Sequence, residues 1–369
     1  MKQMFLNRTS INMLLLGSIL SFASCEQEEP EPPITPSCNV VNVSGSIGSP
    51  TTWTTGSVYM LQGNVEVSAV LTIEPGVIVK LNDASLEVNG SGKIIANGTS
   101  DKHIVFTSHA DDNYCGDSNG DGTATTPQKG DWQNIYLNGG TGNTFKYCDV
   151  FYAGGNNGGY YNGVVISIAG PSFTFDHCTF AHTLSNATSS SAYAFHGSSY
   201  MADPSVSIFT NNVFYDNDRP IYLNTYYTLD PSNIFHNPAN PAEKNKRNGI
   251  YMYHYSSPAI TVSWNVSEVP YVVDNFFNGG GSGAQGTVNI GPNVVVKFTT
   301  ASAGISRGDS RTVNIGAGAA LTSIKDDARG GDTNGDGNAT SPAAGDWDGF
   351  WNYSNNSWIS GSYIFYAAH

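Results

Sequence analysis

Charge is scarce in this chain. Lys, Arg, Asp and Glu make up only 12% of its 369 residues, and the balance is acidic, with a formal net charge of −14. No basic run follows the first few residues. Gripping a phosphate backbone needs clustered Lys and Arg that displace counterions, so nucleic acid is excluded as a partner and divalent cations suit the balance better. Helical periodicity is missing too, since apolar residues almost nowhere recur at i, i+3, i+4 and i+7. The five cysteines contain no Cys-x-x-Cys spacing and form no Cys/His zinc constellation. The longest apolar run, INMLLLGSILSF, is too short to cross a bilayer as a permanent helix.

That run has a function other than folding. Lys2 and Arg8 give it a positive flank, and it leads into FASC, ending at Cys25. This is the layout of a secretory signal, and small residues before a lone Cys resemble a bacterial lipobox. The resemblance implies cleavage that leaves Cys25 as a lipidated first residue; an ordinary signal cut nearby is the alternative. EQEEPEPPITP follows, acidic and proline-rich with nothing to bury, hence an extended tether. Glu residues directly after a lipid-bearing Cys resemble the export signal that sends some Gram-negative lipoproteins to the cell exterior. The expected layout is a signal peptide over 1–24 and a tether over 25–37. The protein is then lipid-anchored in the outer membrane and exposed at the cell surface.

Beyond the tether, Gly (41 residues) and aromatics (12%) are abundant, as in an extracellular β protein. Short alternating segments such as LTIEPGVIVKLND, ASLEVNG, GKIIANG and KHIVFTS are broken by Gly, Asn and Pro. One pattern recurs, an aromatic or Ile/Val pair after a polar residue: FKYCDVFYAG, FDHCTFAH, FTNNVFYDN, DPSNIFHNP and VDNFFNGG. Self-similar short strands at periods of about 20 to 50 residues predict a solenoid. In a parallel β-helix equivalent positions stack about 4.8 Å apart. Asn212, Asn233 and Asn275 would then form an Asn ladder, with Val213, Ile234 and Phe276 beneath it in the core. Cys148 and Cys178, in the matching contexts TFKYCDVF and TFDHCTF, would be stacked inward positions. Three pairings of Cys38, Cys115, Cys148 and Cys178 stay open.

A larger unit overlies the small one. LTIEPGVIVKL returns as VNIGPNVVVKF from Val288, and CDVFYAGG as YIFYAAH. The expected division is a first large repeat over 38–280 and a second, incomplete one over 281–369, after which a continuation or a covering partner is expected. These segments, with GDW, resemble the right-handed parallel β-helix repeat proteins of bacterial cell surfaces, from about Val41 onward. The resemblance implies an all-β fold, a right-handed parallel β-helix carrying calcium-loop insertions. It implies little about function, because such helices serve pectate-lyase-like enzymes, phage tailspikes and adhesins alike.

The strongest chemical signal is written twice. DDNYCGDSNGDGTATTPQKGDW starts at Asp111 and DDARGGDTNGDGNATSPAAGDW at Asp326, identical at most positions. Each holds Asp-x-Asn-Gly-Asp-Gly, the first half of an EF-hand-type calcium loop, in which alternate oxygen ligands precede a sharp glycine turn. The ligands expected are Asp117, Asn119 and Asp121, and Asp332, Asn334 and Asp336. Gln128 and Ala343 stand where an EF-hand has its bidentate Glu, so Asp131 and Asp346 of GDW are the expected replacements. Asp111, Asp112, Asp326 and Asp327 could close each site from the other side. The alternative is a pair of solvated Asx turns. Yet Tyr114/Arg329 and Cys115/Gly330 differ between copies while the ligand positions do not. A structural Ca²⁺ in each loop is the reading the spacing favours.

Catalysis has a weaker signature. The resemblance implies an Arg or Lys base with calcium for lyases, and paired carboxylates for hydrolases. YDNDRPIY offers Asp216, Asp218 and Arg219 on one turn, with His177, His182, His196, His236 and His254 in nearby coils. The NTD and RIK segments of polygalacturonase-like families are absent, and a structural turn is the simpler account. Tyr222, Tyr226, Tyr251, Tyr253 and Tyr255 suggest instead a strip that stacks on sugar rings, with Tyr160 and Tyr161 further along; ordinary packing of these rings is the alternative. The expectation is a non-catalytic, adhesin-like protein binding a polysaccharide or another cell-surface component. A polysaccharide lyase or hydrolase, and a structural stalk, are the alternatives.

Overall fold

A computed structural model describes residues 38–155, 166–168, 172–184, 193–197, 207–225, 227–253, 261–274, 276–277, 285–307 and 310–369. The described residues contain strands and turns and no helix. The strands pair in parallel with partners about one coil away in sequence, which is a parallel β-helix.

Each early coil has three faces. The first face stacks Thr51–Trp53, Val70–Ile73, Lys93–Asn97, Asn143–Lys146, Phe173–Asp176 and Ile208–Thr210. The second stacks the start of Ser57–Val67 with Ile78–Asn82, Ile104–Ser108, Cys148–Phe151, Thr179–Ala181 and Val213–Tyr215. The third stacks the end of Ser57–Val67 with Leu86–Gly90, Ile135–Gly139, Ile166–Ile168, Tyr193–Gly197 and Arg219–Asn224. It continues through Ile250–Tyr253, Tyr271–Val273, Val295–Phe298 and Ala320–Ser323. Between the two sets of coils the second face is reduced to one bridge, Val213 to Ile234, and the chain makes an antiparallel hairpin, His236–Asn237 with Asn240–Lys244.

Alternate residues of each strand fill one continuous core. Phe145 stacks on Phe175 at 4.8 Å, Phe180 on Phe214 at 4.8 Å, and Phe214 on Phe235 at 5.7 Å. Each pair adds about 0.5–1.5 kcal/mol beyond burial. Cys148 and Cys178 are buried and reduced, at equivalent positions of neighbouring coils. One expectation is corrected here: Val213 and Ile234 are half-buried, and the core positions are Phe214 and Phe235. Asn212 and Asn233 themselves point inward at the corner, so the next inward residue lies two positions on. Asn212 Nδ2 donates to Asn233 Oδ1 at 3.0 Å, the ladder that was expected, while Asn275 and the side chain of Phe276 lie outside the described residues.

The second face is bounded by two columns of left-handed corners. Tyr147, His177 and Asn211 have φ of 48°, 57° and 57°; Tyr152, His182 and Asp216 have 63°, 58° and 52°. A side chain in this region costs roughly 1–2 kcal/mol. Stacking of Tyr147 on His177 at 4.7 Å and of Tyr152 on His182 at 5.3 Å offsets part of it.

Candidate functional site

The twin acidic loops are laid over the outside of the helix, each above a strand whose outward face carries a buried lysine. Lys80 and Lys297 sit in otherwise apolar strands and are fully buried. Lys80 Nζ donates to the Gly116 carbonyl at 3.1 Å, and Lys297 Nζ to the Gly331 carbonyl at 2.5 Å and Thr333 Oγ1 at 3.0 Å. Each loop is thus pinned from below by an ammonium. Burial pushes both lysines down, Lys297 to about 8, against the pull of nearby aspartates. The first loop is also tied by a disulfide between Cys38 and Cys115. It packs Tyr114 and Cys115 onto Val58, Met60, Ile78 and Val105.

Inside the loops the two copies repeat one another bond for bond. Asp117 Oδ1 accepts from Gly120 N at 2.8 Å and Asp121 N at 3.0 Å, and its Oδ2 from Gly122 N at 2.8 Å. Asp332 accepts from Gly335, Asp336 and Gly337 at 2.7, 3.2 and 2.8 Å. Asn119 Nδ2 donates to Asp121 Oδ2 at 3.0 Å, and Asn334 Nδ2 to Asp336 Oδ2 at 2.9 Å. Oδ1 of Asp112 and Asp121, and Oδ1 of Asp327 and Asp336, are shielded from solvent without a hydrogen-bond partner. A carboxylate oxygen left this way is costly unless a cation faces it. Oxygens of Asp327, Asp332 and Asp336 lie within 4.8 Å of one another. Burial and the neighbouring Asp117 raise Asp112, as burial and Asp332 raise Asp327. An oxygen-only, carboxylate-rich set of this kind fits a hard divalent ion such as Ca²⁺.

Asp131 and Asp346 do not join these sets. Asp131 Oδ2 accepts from Ser108 Oγ at 2.5 Å and Gln128 N at 2.8 Å; Asp346 Oδ2 accepts from Ser323 Oγ at 2.7 Å and Ala343 N at 2.9 Å. Lys325 Nζ holds the other oxygen of Asp346 at 2.8 Å. Their hydrogen-bonding capacity closes the loop onto the coil, and the adjoining Trp132 and Trp347, fully buried, anchor it by Nε1 bonds of 2.7 Å to the Phe151 and Phe365 carbonyls. At the opposite end of each loop, Asp112 and Asp327 each carry one of the unpartnered oxygens, and Asp327 lies with Asp332 and Asp336. Asp111 and Asp326 are spent on Thr107 and Thr322 at 2.6 and 2.7 Å.

The cluster Asp216, Asp218 and Arg219 separates. Asp218, 1% exposed, is clamped by Arg247 through Nε at 3.0 Å and through Nη2. Arg219 lies over the rings of Tyr193 and Tyr251 at 5.2 and 4.9 Å. Asp216 instead pairs with Lys129 at 2.6 Å and His182 at 2.7 Å. These three residues do not converge on one substrate position. Nor is Tyr251 an open sugar platform: it is 4% exposed, beneath the second acidic loop, and its hydroxyl donates to the Thr333 carbonyl at 3.0 Å. Tyr222 is half-buried between Tyr193 at 4.7 Å and His196 at 5.0 Å. Tyr222 and Tyr251 are register partners on neighbouring strands and share one face, and the second loop covers it at Tyr251. Tyr226, Tyr255 and the side chain of Tyr253 lie outside the described residues, as do Cys25, Tyr160, Tyr161 and His254.

Sequence reasoning passed over the outer side of the second face. There Asp149 pairs with His103 at 3.0 Å, and burial raises the Asp149 carboxyl despite that partner. Tyr114 and Tyr215 stand near enough to feel the Asp149 carboxylate, and burial together with that carboxylate raises both hydroxyls. The signal available was the recurrence of Tyr or His directly after the apolar pair, as in VFY, TFAH and VFY.

Residues 45–139 match the protein family described as "Pectate-lyase like beta helix domain". No curated protein and no solved structure matches the chain. The parallel coils define the class, an all-β protein built as a parallel β-helix, whose residues 45–139 are similar to that family.

Proposed function

We propose that this protein is a calcium-stapled, non-catalytic β-helix, held at the outer membrane surface by a lipid on Cys25, that binds a polysaccharide or another cell-surface component. The observation that carries the calcium part is the pair of orphaned carboxylate oxygens, repeated at the same positions in both loops. A Ca²⁺ held by Asp112, Asp117 and Asp121, and another by Asp327, Asp332 and Asp336, would neutralise each insertion and fix it to its coil. The ion's role here is structural. The non-catalytic part is supported by Asp216 and Asp218, each already matched by a basic partner.

The ligand surface in this reading is the outer side of the second face. Stacked Tyr147 and His177 border it, and half-exposed His177 offers a ring face and a polar edge to a sugar. A run of parallel coils suits an extended polymer. One observation favours the enzymatic reading instead: Asp149, a carboxyl that burial raises, stands 3.0 Å from His103, the kind of perturbed pair found at catalytic sites. Incubation with a panel of acidic and neutral polysaccharides, followed by size-exclusion chromatography, separates the readings. Intact polymer co-eluting with the protein is the expected result. Shortened polymer would overturn the non-catalytic reading, and no co-elution with any polymer would leave the stalk.

A further inference from the structure

Where the second face meets the hairpin, the geometry points to a cation site of another chemical class: we propose that His182, Asp216 and Glu243 bind a transition metal ion of the zinc type. The three donors come from separate parts of the chain. His182 is the corner after Thr179–Ala181, Asp216 the corner after Val213–Tyr215, and Glu243 lies in the hairpin strand Asn240–Lys244. Each supplies one ligand atom, and these atoms lie within 4.8 Å of one another. His182 Nδ1 is 2.7 Å from Asp216 Oδ2.

Charge argues for a cation here. Two carboxylates brought this close repel one another. Lys129 meets Asp216 Oδ1 at 2.6 Å and His182 meets Oδ2 at 2.7 Å; a divalent ion replacing the His182 proton would meet the charge of Glu243 as well. The donor set selects the ion. Calcium takes oxygen ligands, whereas one imidazole with two carboxylates suits zinc and its neighbours.

The surroundings are those of a prepared site. Lys129 holds Oδ1 of Asp216 and Asn237 Nδ2 holds Glu243 Oε2 at 2.7 Å, so each carboxylate is oriented, and a metal would take the place of the proton between His182 Nδ1 and Asp216 Oδ2. The His182 ring stacks on Tyr152 at 5.3 Å, interplanar angle 17°, and meets Tyr215 edge-on at 5.3 Å. Three protein ligands leave a fourth position open to water or to an oxygen of a bound ligand.

The test uses Co²⁺ as a coloured probe on the purified chain, with Ca²⁺ in excess to occupy the acidic loops. One equivalent of Co²⁺ should bind with visible ligand-field bands, and Zn²⁺ should displace it. His182→Ala and Glu243→Gln should each weaken binding by about 100-fold or more, and Asn237→Ala by about 10-fold. Should His182→Ala fail to fold, Glu243→Gln on the hairpin decides the matter alone. Absence of stoichiometric Co²⁺ and Zn²⁺ binding, or binding unchanged in Glu243→Gln, overturns the proposal. The outcome is independent of calcium, because neither acidic loop contains a histidine.

Discussion

Asn212→Ala probes the coil architecture at its most ordered point. The Asn212 side chain is fully buried, its Oδ1 accepting from Cys178 N at 3.0 Å and its Nδ2 donating to the Phe175 carbonyl at 3.1 Å and Asn233 Oδ1 at 3.0 Å. Alanine removes the amide and leaves the buried Cys178 N–H and the Phe175 carbonyl without these partners, and water cannot reach them. Each orphaned group costs roughly 1–3 kcal/mol, so the expected loss is about 3 kcal/mol. Asn314→Ala supplies the contrast. Its Nδ2 donates to Asn289 Oδ1 at 2.8 Å in the same ladder geometry, but on the exposed surface. Water replaces that bond, and the expected change is within about 0.5 kcal/mol. Urea unfolding followed by intrinsic fluorescence reads both midpoints, with similar slopes required for the comparison. Equal midpoint shifts for the two variants would refute the reasoning, since burial would then not be what gives the ladder its weight.

Other expectations follow from single contacts. Cys38→Ser opens a cross-link spanning 77 residues and should cost about 4 kcal/mol on the chain-entropy view, read as a urea midpoint that matches the wild type under reducing conditions. Phe214→Ala, in the middle of the Phe180–Phe214–Phe235 stack, should cost about 3–5 kcal/mol by the same measurement. Lys297 gives a pH signature. Its folded pKa, near 8, lies below the ordinary 10.5, so the unfolded chain holds the proton more tightly. The penalty is full below about pH 8 and is relieved as pH rises towards 10.5. Between pH 7.5 and 10 the wild type should therefore gain stability relative to Lys297→Met, as followed by paired urea titrations; a relative loss would reverse the sign and sink the argument.

The fold was legible because repetition is a strong signal. Short strands, recurring Asn corners and the doubled LTIEPGVIVKL segment all need only stacking to make sense. Phase was harder to read. In three-residue strands such as VFY, period two cannot say which of two apolar neighbours points inward, and Asn212 settles it by occupying the inward corner before Phe214. The lysines of VIVKL and VVVKF were visible as repeats, yet their burial depends on a loop arriving from about 35 residues later. Asp131 and Asp346 repeat as faithfully as ligands would. Their serine partners in FTS and LTS repeat as well, and that pairing distinguishes a loop closure from a metal ligand. Tyr251 was misplaced for a similar reason: nothing local in GIYMYHY tells that the second acidic loop covers its ring.

The most direct test of the account is calcium binding. Equilibrium dialysis with ⁴⁵Ca²⁺ should find two ions per chain, with Asp121→Asn removing one, Asp336→Asn the other, and the double variant both. Chelation should lower the thermal midpoint of the wild type and leave that of the double variant unmoved. Binding of no calcium, or two ions retained in the double variant, would contradict the central claim and reduce the twin loops to hydrogen-bonded turns.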